Sequence, residues 1–279
     1  MNQRMKIAGK TDKGRRRSKN EDAFAVDKEL GFMIVADGMG GHASGEVASN
    51  LAVTLTTEQL KRALKTGHVP GTYHMEVTDN LDRRTFLLGD CIKFANESVY
   101  EAAQSNPENH NMGTTIVAAL YFDDKLAVAH VGDSRFYLVR NGELTLCTND
   151  HSFVQEQVDR GFISAQEAEK SDLRNMLTRS VGIKDDVNVE VREILVEDGD
   201  FALLCSDGLT KMLDDSQIEA VFQGKEDPDE IVNELIDRAN EAGGGDNVTV
   251  IVAKMVSRSQ WESLTERVKG VLARNSEKD

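Results

Sequence analysis

The chain has 279 residues, enough for one large domain with a sizeable core, and its 48 acidic against 33 basic residues give a formal net charge of −15. That balance repels nucleic-acid phosphates and anionic membrane surfaces, so neither is an expected partner, and no run approaches the roughly 20 apolar residues that cross a bilayer. Three well-separated cysteines, Cys91, Cys147 and Cys205, offer neither a disulfide framework nor a Cys-x-x-Cys metal site; none is followed by an arginine six positions on, so the anion loop of a thiol-nucleophile enzyme is absent.

Residues 1–17 are polar and basic. The cluster Gly14-Arg15-Arg16-Arg17-Ser18-Lys19-Asn20-Glu21-Asp22 then leads into a predicted strand over 23–26. A second strand, 32–36, runs into Asp37-Gly38-Met39-Gly40-Gly41-His42. Val47, Leu51 and Leu55, and later Leu88, Ile92, Ala95, Val99 and Ala102, recur at helical spacing. Between them 66–82 mixes Gly, Pro, His and Asp without period and reads as a surface loop or small insertion. Strands are predicted over 115–121, 126–131 and 136–140, with tight turns at Asp123-Asp124 and Asn141-Gly142, so the sheets should be largely antiparallel. Residues 150–182 are polar, with short helical patterns, and suit either a lid or surface decoration. Further strands are predicted over 187–196, 201–205 and 248–253, with a helical stripe at Ile231, Leu235 and Ala239 before the last. Ser259 and Glu262 have capping-box spacing, and Leu264, Val268 and Val271 share one face of a predicted C-terminal helix. The expected fold class is α+β: two central, mostly antiparallel β-sheets flanked by helices, an α-β-β-α sandwich.

The recurring feature is an apolar strand followed at once by an aspartate beside glycine. It occurs at Asp37-Gly38, at Gly132-Asp133-Ser134-Arg135, at Ser206-Asp207-Gly208 and, preceding a strand, at Gly243-Gly244-Gly245-Asp246-Asn247. Stiff buried strands fix such carboxylates, and glycine lets the backbone turn and present a carbonyl. Each Asp-Gly taken singly is a common turn. Several gathered at one edge of a −15 protein would repel without cations, and oxygen-only ligation favours Mg²⁺ or Mn²⁺ over zinc. An arginine of the 15–17 cluster can grip two phosphate oxygens; the alternative is a solvated basic loop.

Arg17-x-x-Asn20-Glu21-Asp22, Asp37-Gly38-Met39-Gly40-Gly41-His42, Gly113-Thr114-Thr115, Gly132-Asp133-Ser134-Arg135, Ser206-Asp207-Gly208 and Gly243-Gly244-x-Asp246-Asn247 stand in one order along the chain. In this the chain resembles the metal-dependent PPM family, the type-2C protein phosphatases, and most of all its compact bacterial branch. The resemblance implies a phosphatase domain over 1–256 with a flap at about 150–182, and a helical extension over 257–279. It implies a phosphoserine and phosphothreonine hydrolase that uses water activated between two Mn²⁺ or Mg²⁺ ions, with a third ion in some members.

Position by position, the resemblance makes Asp37 the bridge between two ions, Gly38 a carbonyl ligand, Asp207 and Asp246 further ligands, and Asp133 a residue of the third site. Glu21 and Asp22 would act through water, and Arg17 would bind the phosphate. His42 is a candidate general acid, although Met39, Gly40 and Gly41 separate it from the position a family histidine occupies. Phosphorylated proteins made by a cognate kinase are the implied partners, and a cytoplasmic monomer is expected. The rival from another class is a non-catalytic scaffold of the same fold that binds phosphoproteins; loss of a ligand would favour it. A nucleotide-binding reading of Gly9-Lys10-Thr11 fails because Arg4 stands where the loop needs its first glycine.

Overall fold

In a computed structural model, residues 5–40, 44–71, 75 and 80–256 are described. Eleven strands and seven α-helices occur among them. In chain order the strands are β1 (Met5–Asp12), β2 (Asp22–Asp27), β3 (Phe32–Met39), β4 (Gly113–Thr114), β5 (Ile116–Phe122), β6 (Lys125–Val131), β7 (Arg135–Arg140), β8 (Glu143–Leu146), β9 (Glu190–Leu195), β10 (Phe201–Cys205) and β11 (Val248–Met255). The helices are α1 (Ser44–Thr66), α2 (Arg83–Ser105), α3 (Phe153–Asp159), α4 (Ala165–Glu169), α5 (Asp207–Thr210), α6 (Asp215–Phe222) and α7 (Pro228–Glu241).

One sheet has the order β2-β3-β5-β6-β9, with β4 paired to the end of β3; the other has β1-β11-β10-β7-β8. All pairings between the named strands are antiparallel. Period-two alternation sends the two faces of each strand to different cores. On β3, Phe32, Ile34 and Ala36 pack with Leu60, Leu88 and Ile92 of α1 and α2. Met33 and Val35, between them in sequence, pack with Phe136, Leu204 and Ile251 of the opposite sheet. The second sheet's outer face is covered by Ile218, Ile231 and Leu235 of α6 and α7. Three apolar layers between four structural ones make the expected α-β-β-α sandwich.

The turns follow the expected chemistry. Asp123-Asp124 joins β5 to β6 and Asn141-Gly142 joins β7 to β8, each pair with both residues at positive φ, the mirror-image turn whose twist matches a two-residue hairpin. β1 was not predicted: Lys6 and Lys10 interrupt its apolar pattern, and it stands at a sheet edge, paired to β11 alone. Edge strand β8 is four residues long and mostly exposed, too short to carry a period. The expected strand over 187–196 narrows to Glu190–Leu195, although Val187 and Val189 are buried. Helix α6 was also missed; its start is a capping box of Asp214 and Gln217. The predicted C-terminal helix lies outside the described residues, as does much of the 72–79 stretch.

The layer between the sheets should dominate stability. Phe136→Ala, in a fully buried position there, is expected to cost about 3–5 kcal/mol, and Thr145→Ala on the exposed edge strand less than about 0.5 kcal/mol. Urea unfolding followed by circular dichroism checks both.

Candidate active site

Acids from the two sheets meet at one end of the sandwich. Asp22 opens β2 and stands opposite Asp37, near the end of β3, in the antiparallel register. Its Oδ2 accepts from Ser206 Oγ at 2.8 Å and Thr249 Oγ1 at 2.6 Å, so hydroxyls of the second sheet hold a carboxylate of the first. The Asp37 backbone is fixed on both sides: its N–H donates to Thr115 Oγ1 (3.0 Å), and its carbonyl accepts from Thr115 N and Thr114 Oγ1 (both 2.9 Å). Thr115 Oγ1 in turn lies 2.6 Å from Ser134 Oγ, beside Asp133. Gly38 is required by close approach, since a Cβ there would lie 2.1 Å from the Gly45 carbonyl oxygen.

The second sheet contributes Asp207, the first residue of α5 after β10, and Asp246, just before β11. Their loops touch so closely that a Cβ on Gly208 would lie 1.8 Å from the Asn247 carbonyl oxygen. Asn247 organises the basic loop from within the protein. Its Oδ1 accepts from Glu21 N at 2.8 Å, and its Nδ2 donates to the carbonyls of Lys13 and Lys19 at 2.9 and 2.8 Å. Arg15 N and Arg16 N donate to the Gly244 carbonyl. Thus held, Arg17 forks onto Asp246, with Nε 2.8 Å from Oδ1 and Nη2 2.9 Å from Oδ2. Lys211, four residues after Asp207 on one helical turn, pairs with Asp207 and reaches Asp246 at 3.4 Å.

The electrostatics are those of charge crowded out of water. Burial, reinforced by Asp207, Asp22, Asp133 and Asp246, pushes the Asp37 carboxyl well above the ordinary range. Burial also raises Asp22 to about 7 against the pull of its two hydroxyl donors. Asp133 rises to about 7 through burial and the charges of Asp207 and Asp150. Glu21 is raised by burial, with Arg17 opposing. The bond to Asp246 holds the Arg17 guanidinium more firmly charged. Burial works against the Lys211 ammonium, but Asp207, Asp246 and Asp37 outweigh it.

Two buried carboxylate oxygens in this group, Asp22 Oδ1 and Asp207 Oδ1, have no hydrogen-bond partner among the described residues. A buried acceptor without a donor is costly. The set of hard oxygen donors with unused lone pairs suits a hard divalent cation. The fold thus brings Glu21, Asp22, Asp37, Asp133, Asp207 and Asp246 into one electrostatic environment with Arg17. His42 and Gly41 lie outside the described residues.

The 150–182 segment leaves and rejoins this region at fixed points. Arg135 holds Asp150 with a fork, Nε to Oδ1 at 2.9 Å and Nη2 to Oδ2 at 2.7 Å. Ser152 bridges Leu177, and Val181 bridges Thr114. His151 N donates to the Gly132 carbonyl at 3.0 Å, and Gly132 N donates to His151 Nδ1 at 3.1 Å. His151, His130 and Glu190 are close enough to share an ion by distance, but the two rings are stacked 4.5 Å apart at 22°. Lone pairs in near-parallel ring planes do not converge on one point. His130 Nε2 already bonds the Asn149 carbonyl, and the Arg179 guanidinium stands 3.2 Å from His151 Nε2. The cluster bolts the segment to the sheet.

Sequence reasoning missed Ser206 and Thr249 as the holders of Asp22, and Lys211. The first two depend on inter-sheet contact and carry no local signal. Lys211 had one, because Asp207 and Lys211 stand at i, i+4 spacing.

A family model described as protein phosphatase 2C matches residues 11–249. Serine/threonine phosphatase stp of Listeria monocytogenes is 36% identical over 250 residues, which cover 88% of this chain and 94% of that protein. The crystal structure of the Mycobacterium tuberculosis serine/threonine phosphatase PstP/Ppp superposes with a TM-score of 0.78 at 33% identity, covering 91% of this chain and 99% of that one. The catalytic domain of PstP in complex with two manganese ions superposes with a TM-score of 0.73 at 33% identity, with the same coverage. Since the family model runs through both sheets and every strand-end acid named above, this chain belongs to the protein phosphatase 2C family.

Proposed function

We propose that the chain is a metal-dependent protein serine/threonine phosphatase that hydrolyses phosphoserine and phosphothreonine on proteins. The observation that carries this reading is the pair of buried carboxylate oxygens, Asp22 Oδ1 and Asp207 Oδ1, left without donors among the described residues and within a group of like charges. In this reading Asp37, the Gly38 carbonyl, Asp207 and Asp246 hold two Mn²⁺ or Mg²⁺ ions, and Asp133 belongs to a third, weaker site. Cations held there would supply positive charge for the phosphoryl oxygens and lower the pKa of water so that hydroxide is available at neutral pH.

The chain's own residues do the rest. Glu21 and Asp22 would accept hydrogen bonds from water, Asp22 with the oxygen that Ser206 and Thr249 do not use. The Arg17 fork, now on Asp246, fits two oxygens of a phosphate equally well, and exchanging one for the other orients the ester for in-line attack. His42 remains the candidate donor of a proton to the leaving alkoxide. The segment at 150–182, fixed at Asp150 and Ser152, influences which phosphoprotein reaches the site. Substrates of a cognate kinase are the proposed partners of a monomer acting in the cytoplasm, where the three buried free thiols stay reduced. The scaffold alternative lacks support, because the chain's relatives are serine/threonine phosphatases and none of the proposed ligands is lost.

Hydrolysis of phosphoserine and phosphothreonine peptides should require Mn²⁺ or Mg²⁺ and stop with EDTA; metal-independent turnover would refute the proposal. Asp37→Asn and Asp207→Asn should each lower kcat/KM by at least about a hundredfold. Asp37→Asn should also raise the melting temperature of the metal-free protein, since one of the crowded charges is gone. Arg17→Ala should raise KM and the inhibition constant for inorganic phosphate more than it changes the Mn²⁺ requirement.

Metal-free stability should depend on pH in a defined direction. Asp22 and Asp133 sit at about 7 in the folded protein against an ordinary 3.8. Their contribution is therefore complete below the ordinary value and lost as pH rises through about 7. Thermal melts in EDTA should give a lower Tm at pH 8 than at pH 5, and Mn²⁺ should narrow or reverse that difference.

A further inference from the structure

Lys211 is a cation inside the acidic group that the phosphatase reading does not use. Its side chain is 32% exposed, while those of Asp207 and Asp246, which it bridges, are 15% and 17% exposed. The bridge is built in rather than casual. Lys211 N–H donates to the Asp207 carbonyl at 2.8 Å, closing the helical turn that sets the side chain back over Asp207. The ammonium occupies one carboxylate oxygen of each partner, Asp207 Oδ2 and Asp246 Oδ2, while Asp207 Oδ1 has no partner among the described residues. Asp37 also acts on it through space.

We propose that Lys211 is a resident competitor for the metal site: its ammonium neutralises Asp207 and Asp246 in the metal-free protein and must leave them before a divalent cation takes both. The inference rests on the metal-dependent reading above. An ion that ligates through Asp207 Oδ2 or Asp246 Oδ2 must take that oxygen from the ammonium, so filling the site on both acids breaks an existing ion pair. The displaced charge stays tethered nearby and continues to oppose the incoming one. Lys211 thereby stabilises the metal-free fold and weakens metal affinity, which sets the metal concentration at which the enzyme switches on. It is a positioning residue for the acids and need not touch substrate.

The test is calorimetric titration of Mn²⁺ into the EDTA-stripped full chain, wild type beside Lys211→Met and Lys211→Arg. Methionine keeps the apolar stem and removes the charge; arginine keeps the charge. Lys211→Met should tighten at least one Mn²⁺ step by about tenfold or more and lower the metal-free Tm, with Lys211→Arg close to wild type in affinity. Equal or weaker Mn²⁺ binding by Lys211→Met overturns the proposal. Should the stripped variant not stay folded, the loaded proteins are titrated with a weak chelator. Lys211→Met then keeps its Mn²⁺ to higher chelator concentration if the proposal holds, and releases it at the same or lower concentration if it does not. Failure of wild type and both variants alike to bind Mn²⁺ at millimolar concentration would remove the metal-dependent reading, and the present inference with it.

Discussion

Like charge held out of water is the constraint around which this molecule is arranged. Asp22, Asp37 and Asp133 all lie where burial makes their ionised forms costly, and each is raised further by neighbours of the same sign. A loose framework would relieve that stress by letting the side chains move apart. Here they cannot, because Asp22 and Asp37 are register partners on adjacent strands, with Thr114 and Thr115 fixing the backbone of Asp37. The apolar layer between the sheets supplies the stiffness, and the cost of gathering the acids is met by cations, whether Arg17 and Lys211 from the chain or ions from solution.

Much of this was legible in the sequence because the governing patterns are local. The buried apolar runs 32–36 and 201–205 each lead into an aspartate beside glycine. The Asp123-Asp124 and Asn141-Gly142 turns announce hairpins through residues that tolerate positive φ. What was not legible depends on long-range pairing. The Met5–Asp12 strand has lysines where a period would be read, and it is a strand because β11 offers it a complete edge. The role of Asn247 in tying Lys13, Lys19 and Glu21 together could not be inferred from its place in a turn.

The candidate site divides the same way. Motif order along the chain brought Arg17, Glu21, Asp22, Asp37, Gly38, Asp133, Asp207 and Asp246 into one expectation, and the fold does bring them into one neighbourhood. Which cation rests on which acid is a different question. Arg17 could be read as a phosphate ligand, but its fork on Asp246 arises from the loop path dictated by Asn247 and Gly244. Likewise, Ser206 reads as part of a turn until the two sheets are stacked and its hydroxyl reaches Asp22.

The acids are divided between the two sheets, and this division has a mechanical consequence. Asp22 and Asp37 ride on one slab, Asp207 and Asp246 on the other, and Asp133 sits in the connection from one to the other, so the space among them is a gauge of how the slabs are seated. A shear of an ångström between them would leave every strand and every ladder bond intact while pulling the oxygens out of register with one another. Under mild denaturing stress, catalysis and ion uptake would then disappear while far-ultraviolet spectra still looked native. The hydroxyls of Ser206 and Thr249, reaching across to Asp22, act as dowels against that slip.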